Sequence, residues 1–205
     1  MTSYYRPQST ISGLFAGFAL CVSATAADAP KDNVAPEGFR ALFNGKDLEG
    51  WVEKQQAPAH WSVAEDCLVY DGKGTHLFTS EHFGNFILLL DWKVPKNGNS
   101  GVFLRGNTQV EINDGDSPDR PIWNGSSGGI YPDLPPTKRA AKPHGEWNHY
   151  EIRVEKGVIT VFLNGEKTVD GYAKKWGTNA KGPIGFQHHG TPLWYKNIYL
   201  KPLED

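Results

Sequence analysis

The stretch NFILLLDWKVP, residues 85–95, decides the fold of this chain because it is the strongest apolar run after the N-terminal segment. Successive side chains of an extended strand point to opposite faces, and here apolar side chains occupy both faces. Such a run predicts a strand that is buried on both faces, in the middle of a sheet. The other elements are expected to assemble around it.

Alternating segments follow this run along the chain. SGVFLRG (residues 100–106) and TQVEIND (residues 108–114) predict two consecutive strands, and residues 147–172 predict a three-stranded meander with turns at Lys156-Gly157 and Asn164-Gly165. No stretch beyond the N-terminal segment keeps an apolar period of 3.6 residues. About a dozen short strands predict an all-β fold, a two-sheet antiparallel sandwich.

The N-terminus has the layout of a secretory signal peptide. Arg6 gives a short positive region, ISGLFAGFALCVSA (residues 11–24) gives an apolar region, and cleavage is predicted near Ala26 or Ala27. The apolar run is shorter than the roughly 20 residues that a membrane-spanning helix needs. We expect a signal peptide over 1–27, a linker over 28–36 and one domain over 37–205, exported to the periplasm or secreted, with no integral membrane segment in the mature chain.

The charges are nearly balanced, with 21 Lys+Arg against 23 Asp+Glu and a formal net charge of −2. Nucleic acids and anionic membranes select a concentrated cationic surface, so neither is an expected partner. Cys67 is the one cysteine left after export, which excludes an intramolecular disulfide and a cysteine-based metal cluster. The role predicted for Cys67 is a buried structural thiol.

Residues 115–146 lose the strand pattern and are rich in glycine and proline. A loop of this length inside a compact domain is usually functional. Most of the seven tryptophans are expected in the core, since aromatic burial dominates such domains. Trp123 lies inside the loop and is the candidate for stacking on a sugar ring.

The two strands before the loop carry a row of polar side chains. Alternation places Gly101, Phe103 and Arg105 on one face of the first strand, and Gln109, Glu111 and Asn113 on one face of the second. These positions are either a solvated outer face or a surface that recognises hydroxyl and carbonyl groups. A retaining glucanase needs two carboxylates about 5–5.5 Å apart. The alternate neighbours of Glu111 are both amides, which weighs against that chemistry.

The stretch GPIGFQHHG, residues 182–190, brings a second group of candidates. Gln187 and His189 share a face of the predicted strand, and a histidine titrates near neutral pH, as an acid or base requires. The alternative is a strand end that merely contains histidines. No zinc-binding spacing occurs in the chain. Two histidines with carboxylates could hold a divalent ion, and the sequence leaves the metal and any other cofactor open.

Six segments together resemble the 3-keto-disaccharide hydrolase domain family, over nearly all of residues 39–203. They are LFNGKDLEGW, FILLLDWKVPKNGNSGVFLRG, QVEIND, GGIYPDLPP, GEWNHYEIRVEKGVITVFLNGE and GPIGFQHHG with WYKNIYLKPL. The resemblance implies an exported bacterial jelly roll of the concanavalin A-like type. The chain departs from the family where many relatives read Glu-Val-Gln-Ile and it has Gln109 to Ile112. His188 stands where relatives often carry an acidic or small residue.

The resemblance also implies a carbohydrate substrate and a reaction. A ketone at C3 of a sugar makes the C2 proton acidic, so the group on C1 can leave by β-elimination and water can then add, for net hydrolysis. The route needs a base, a group that stabilises the C3 oxygen and an acid. The implied base is Glu111 or His189.

The same resemblance assigns roles to further residues. Arg105 is expected to stabilise the enolate, Gln187 and Asn148 to orient the sugar, and Tyr131 to supply a proton or a contact. Gln109, Asn113 and Trp123 complete the expected substrate-binding set. A sugar-binding module without catalysis is the alternative function, and a structural envelope protein is a third.

Overall fold

The computed structural model describes residues 31–53, 60–114, 120–176 and 180–204, so the predicted signal peptide lies outside the described residues. Within these ranges the chain forms β-strands and no α-helix. The strands are β1 (Arg40–Ala41), β2 (Trp51–Glu53), β3 (Trp61–Ala64), β4 (Cys67–Tyr70), β5 (Leu77–Thr79), β6 (Phe86–Lys93), β7 (Asn99–Leu104), β8 (Thr108–Asn113), β9 (Ile130–Tyr131), β10 (Asn148–Glu155), β11 (Val158–Leu163), β12 (Glu166–Ala173), β13 (Gly185–Phe186) and β14 (Leu193–Pro202).

The strands form two sheets, and neighbouring strands of the described residues pair antiparallel. The eight-stranded sheet has the order β12-β11-β10-β6-β14-β4-β3, with β1 added alongside β14. The six-stranded sheet has the order β2-β5-β13-β7-β8-β9. Their inner faces enclose one hydrophobic core. The predicted two-sheet antiparallel sandwich of the jelly-roll type is confirmed.

The apolar run at residues 85–95 becomes β6, which lies between β10 and β14 in the larger sheet. Phe86, Leu88 and Leu90 are fully buried between the sheets, while Ile87 and Leu89 are half-buried on the outer face. The prediction of a central strand is confirmed, because β10 and β14 each pair with β6 along most of its eight residues.

Aromatic side chains fill the core at one end of the sandwich. Phe186 of the smaller sheet stacks on Tyr195 of the larger sheet with ring centroids 4.0 Å apart, and on Trp51 at 5.2 Å. Trp61 stacks on Tyr70 at 4.6 Å. Offset stacking of this kind adds to the free energy of burial. The contact of Phe186 with Tyr195 joins the two sheets directly beneath β13.

Cys67 is buried at the start of β4, in agreement with its predicted role as a structural thiol. Burial raises the pKa of the Cys67 thiol, since the protein interior disfavours the thiolate. A thiol that stays protonated is a poor nucleophile.

The two turns of the meander have the backbone that the sequence predicts. Lys156 and Gly157 have φ of 49° and 82°, and Asn164 and Gly165 have φ of 52° and 82°. Two successive residues with positive φ fit the right-handed twist of the strands that they join. The meander of β10, β11 and β12 is therefore confirmed.

The described part of the predicted linker packs against the domain. Asn33 and Asn197 exchange hydrogen bonds, with each main-chain N–H donating to the amide oxygen of the other. The Lys196 ammonium lies 2.6 Å from Asp32 Oδ2. Residues 31–36 are thus held on β14. The described part of the chain contains no helix long and apolar enough to cross a membrane.

Candidate functional site

The outer face of the six-stranded sheet carries the polar row that the sequence predicts. Val102, Val110 and Ile112 point into the core and are fully buried. Their neighbours along β7 and β8 point to the outer face, and the register pairs Gly101 with Glu111 and Phe103 with Gln109. The alternation over residues 109–113 is therefore confirmed.

Four neighbouring strands contribute to one row across this face. The pairing of β5 with β13 ends at Leu77 and Phe186, and His76 and Gln187 are the residues that adjoin this last pair. The Gln187 N–H donates to the Gly101 carbonyl. Gly101 in turn pairs with Glu111. Strands about 4.8 Å apart place the Cα atoms of His76 and Glu111 about 14 Å apart, at the two ends of the row.

Hydrogen bonds join the side chains at the Glu111 end of this row. Gln109 Nε2 donates to Glu111 Oε2 at 2.7 Å and to Gln187 Oε1 at 3.2 Å. Asn99 Nδ2 donates to Glu111 Oε1 at 3.3 Å. We call Asn99, Gln109, Glu111 and Gln187 the polar cluster. Both carboxylate oxygens of Glu111 thus accept amide donors, and the carboxylate is held in one orientation.

Gly101 makes the polar cluster sterically feasible. A Cβ atom at this position would lie 2.5 Å from Gln109 Cγ and Nε2, closer than real contacts allow. Because glycine has no side chain, Gln109 can lean across β7 and reach Gln187. The close approach of the Gln109 side chain therefore requires glycine at residue 101.

The main chain of Glu111 is also fixed. The Tyr150 hydroxyl, from the opposite sheet, donates to the Glu111 carbonyl. The Glu111 N–H donates to the Gly129 carbonyl, and the Gly128 N–H donates to the Glu111 carbonyl. Gly128 and Gly129 of the long loop thus hold the main chain of β8 in place at Glu111.

Aromatic rings lie beside the polar cluster on the same face. Phe78 and Phe103 stack with ring centroids 5.7 Å apart and an interplanar angle of 21°. His76 meets the Phe103 ring edge-on at 5.0 Å. We call Phe78, Phe103 and His76 the aromatic shelf. A face with apolar rings and a few convergent polar groups is typical of small-molecule sites.

One hydrogen bond fixes the protonation pattern of His76. The His188 main-chain N–H donates to His76 Nδ1 at 3.0 Å. A ring nitrogen that accepts a hydrogen bond carries no proton, so the neutral His76 ring holds its proton on Nε2. The His76 and His188 rings lie 4.8 Å apart. His188 therefore contributes to the site through its main chain.

Two other predicted residues flank the polar cluster. Tyr131 on β9 pairs with Gln109 and is 44% exposed, and Trp123 in the loop is 49% exposed. The loop around Trp123 is tied to the chain after Tyr131, because Asn124 Nδ2 donates to the Pro132 carbonyl at 2.6 Å. Asn113, at the end of β8, is half-buried and pairs with Asn99.

Arg105 does not lie with the polar cluster. Its φ of 50° breaks the strand alternation one residue after β7 ends, so the predicted shared face with Gly101 and Phe103 is not formed. The Arg105 guanidinium is buried, donates to the Gly84 carbonyl and Asn85 Oδ1, and lies 4.7 Å from the Trp176 ring centroid. It joins loops at the far ends of the strands.

Asn148 also lies elsewhere, because it begins β10 in the opposite sheet. Its side chain is buried, and its Oδ1 accepts bonds from the Lys142 N–H and Asn164 Nδ2. These bonds stabilise the loop before β10. His189 is exposed beyond the end of β13, one residue after His188.

The structure adds residues that the sequence reasoning did not propose for the site: Asn99, His76 and Phe78. Alternation in THLFT, residues 75–79, separates His76 and Phe78 from the buried Leu77 and Thr79. That signal was available, but it cannot show that β5 lies beside β13. No group of three or more histidine, cysteine, aspartate or glutamate side chains arranged to hold a metal occurs in the described residues.

A cleft of about 580 Å³ adjoins the aromatic shelf. Its walls include Val52, Phe78, Arg105, Asn107 and Pro183, so Arg105 lines the cleft although it does not reach the polar cluster. It opens on the side of the shelf away from Glu111, towards the turn that follows β7. The outer face of the smaller sheet therefore presents the polar cluster, the aromatic shelf and this cleft in order.

Comparisons with known proteins agree with this architecture. The chain is similar to a 3-keto-disaccharide hydrolase of Bacteroides thetaiotaomicron, with 28% identity over 83% of this chain and 80% of that protein. The crystal structure of a candidate glycosyl hydrolase from Parabacteroides distasonis is similar with a TM-score of 0.74 and 27% identity, covering 85% of this chain and 100% of that chain.

A carbohydrate-binding module of Bacillus subtilis shares the fold alone, with a TM-score of 0.52 and 12% identity over 74% of this chain and 95% of that chain. The family model described as the 3-keto-alpha-glucoside-1,2-lyase-like domain matches residues 38–201. This match spans the two sheets, the polar cluster and the aromatic shelf. The chain therefore belongs to the family of 3-keto-alpha-glucoside-1,2-lyase-like domains.

Proposed function

We propose that this protein is a hydrolase that cleaves glycosidic bonds of 3-keto sugars, with a 3-keto-disaccharide as its type of substrate. Family membership and the similarity to a 3-keto-disaccharide hydrolase support the activity. The observation that carries the proposal is the buried carboxylate of Glu111, oriented by two amides on a face that also presents stacked aromatic rings.

The proposed reaction begins with proton transfer from C2 of the sugar to Glu111. The C2–H electrons form an enolate with the C3 ketone, and the C1–O bond then breaks to leave a C1=C2 double bond. The departing oxygen takes a proton, and water adds across the double bond with its oxygen on C1. The balance is one water consumed for one glycosidic bond cleaved.

The polar cluster assigns roles in this reaction. Glu111 is 3% exposed, and Gln109 Nε2 is hydrogen-bonded to its Oε2. In the proposed reaction the Gln109 amide moves off Oε2 so that the substrate C2–H can approach. Gln187 presents its amide nitrogen, since its Oε1 already accepts from Gln109. The Nε2–H of His76 and the Gln187 amide are the donors that we assign to the C3 oxygen and the leaving oxygen. Arg105 has no part in this assignment.

The structural features weigh against a retaining glucanase mechanism on this face. The two positions that alternate with Glu111 along β8 are Gln109 and Asn113. Neither amide can act as the second carboxylate that a retaining glycosidase needs. A mechanism with a single carboxylate base and hydrogen-bond donors fits these side chains better.

The experiment that tests the proposal compares two substrates that differ at C3 alone. We expect release of free sugar from a 3-keto-disaccharide and none from the parent disaccharide with a C3 hydroxyl, because only the ketone acidifies C2–H. Both incubations are repeated with a chelator, which tests for a divalent ion. Equal cleavage of both disaccharides would contradict the proposal, and binding without cleavage would instead favour a sugar-binding module.

Export is part of the proposal. Residues 1–27 have the positive, apolar and small-residue regions of a signal peptide. We expect the chain to be found outside the cytoplasm with its N-terminus near Ala27 or Asp28. N-terminal sequencing of the protein recovered from a periplasmic extract checks this, and an intact Met1 would contradict it.

A further inference from the structure

An apolar strip crosses the outer face of the six-stranded sheet next to the polar cluster. The register pairs Val52 with Phe78, Phe78 with Gly185, and Gly185 with Phe103. We call Val52, Phe78, Gly185 and Phe103 the apolar strip. None of its three side chains, those of Val52, Phe78 and Phe103, carries a hydrogen-bonding group, and Val52 is 54% exposed.

Gly185 lets the Phe78 ring lie across β13, next to the ring of Phe103. A Cβ atom on Gly185 would lie 2.3 Å from Phe78 Cδ1, so any other residue would push the ring away. With glycine there, the Phe78 and Phe103 rings stack at an angle of 21°. Two nearly parallel rings on the outer face offer apolar area against which a third aromatic ring can pack.

The strip lies between the polar cluster and the cleft. Phe78, Gly185 and Phe103 stand two residues along their strands from His76, Gln187 and Gly101, which is about 7 Å. The cleft beyond the strip has Val52, Phe78 and Pro183 among its walls. A ligand whose sugar contacts Gln187 and Glu111 therefore extends its C1 substituent over the strip or away from the protein.

We propose that the apolar strip is the subsite for the leaving group and that it takes a flat aromatic aglycone. This inference rests on the proposed function, since it assigns the sugar to the polar cluster. An aromatic ring on the strip buries apolar area on both partners without leaving a hydroxyl unpaired. A second sugar at the same place would lose water from hydroxyls to which the three strip side chains cannot hydrogen-bond.

The test uses two 3-keto-glucosides with leaving groups of similar basicity, the 2-phenylethyl and the ethyl glycoside. For the unmodified protein we expect a KM about tenfold lower for the 2-phenylethyl compound, as the contact of one further aromatic ring implies. The Phe78→Leu variant keeps an apolar side chain but lacks the flat ring. It should raise KM for the 2-phenylethyl glycoside several-fold more than it raises KM for the ethyl glycoside.

Phe162→Leu is the matched control, because Phe162 is half-buried on β11 in the other sheet and should affect neither substrate. Equal KM values for the two glycosides, unaltered by Phe78→Leu, would overturn the inference and leave the proposed function standing.

If neither glycoside is cleaved, the proposed function fails, and calorimetry with the unoxidised 2-phenylethyl and ethyl glucosides still tests the strip. Preferential binding of the 2-phenylethyl compound that Phe78→Leu abolishes supports it; equal affinities overturn it.

Discussion

At the scale of single residues, Gln109 and Glu111 on β8 are the pair on which the proposed function most depends. Gln109 and Glu111 point to the same face and touch, with Gln109 Nε2 donating to Glu111 Oε2 at 2.7 Å. Because the two side chains are neighbours on one face, exchanging them keeps a carboxylate in the cluster. The order is therefore open to a direct experiment.

We predict that the double variant Gln109→Glu with Glu111→Gln regains activity that Glu111→Gln alone loses. The carboxylate at residue 109 would lie next to the amide at residue 111 and on the same face as the substrate. The rate of sugar release from a 3-keto-disaccharide measures the recovery. A double variant no more active than Glu111→Gln would show that the carboxylate acts only from residue 111.

His76 allows a spectroscopic prediction. Its Nδ1 accepts the His188 N–H, so the neutral ring must carry its proton on Nε2. Nitrogen-15 chemical shifts of the imidazole rings at pH 8 should show this tautomer, with the His76 signals assigned by their loss in His76→Gln. A His76 ring with its proton on Nδ1 would contradict the geometry.

At the scale of elements, alternation predicted the faces of β6 and β8 but not the position of Arg105. Side chains alternate only while the backbone stays extended, and Arg105 has a φ of 50° one residue beyond β7. The alternation rule therefore could not be carried past Leu104. The role of Asn148 came from the family resemblance alone, and the structure places this residue in β10 of the other sheet.

The turn at Asn164-Gly165 gives a stability prediction at this scale. Gly165 has a φ of 82° and nothing within 4 Å of an added Cβ, so Gly165→Ala tests the backbone conformation without a clash. A left-handed residue other than glycine costs about 1–2 kcal/mol. We expect the free energy of unfolding in urea to fall by about that amount, with sugar release unchanged.

Gly50 gives a second measurement of the same backbone effect at another turn. It has a φ of 84° and also has nothing within 4 Å of an added Cβ, but it lies before β2 in the other sheet. Gly50→Ala should therefore lower the free energy of unfolding by a similar amount. A Gly165→Ala variant as stable as the unmodified protein would show that the turn does not require the positive φ.

At the scale of the whole molecule, the sequence predicted the sandwich but not the neighbours of each strand. The site joins Gly101 and Glu111, from the consecutive strands β7 and β8, with His76 beside β5 and Gln187 beside β13, which are distant in the chain. The spacing of apolar residues and the alternation of side chains between two faces are local properties of a few residues. The order of strands in a sheet depends on how the whole chain packs. The polar cluster was therefore predicted in part, on β8 and after β13, while the contribution of β5 was not.

Surface carboxylates give the molecule a predictable response to acid. The hydrogen bond from Lys196 holds the pKa of Asp32 below its ordinary value, and the hydrogen bond from Tyr172 does the same for Asp133. These groups stabilise the fold above the unfolded pKa near 4, and the stabilisation is lost as pH falls through their lower folded pKa values. Both carboxyls are largely exposed, so each contribution is at most about 1 kcal/mol.

We therefore predict that the free energy of unfolding in urea falls between pH 5 and pH 2, and that it falls less in the variant Asp32→Asn with Asp133→Asn. The matched control is Glu37→Gln, an exposed carboxyl for which no pairing is described. An equal acid-induced loss in the double variant and the unmodified protein would contradict the assignment to these two carboxyls.

The central claim is that Glu111 removes the C2 proton of a 3-keto-glycoside bound on the outer face of the six-stranded sheet. The most direct measurement is kcat/KM of Glu111→Gln for a 3-keto-disaccharide, beside Glu37→Gln as control. Loss of a general base predicts a fall of about 10²–10⁴-fold, with binding of the unoxidised disaccharide retained. A value of kcat/KM within threefold of that of the unmodified protein would contradict the claim.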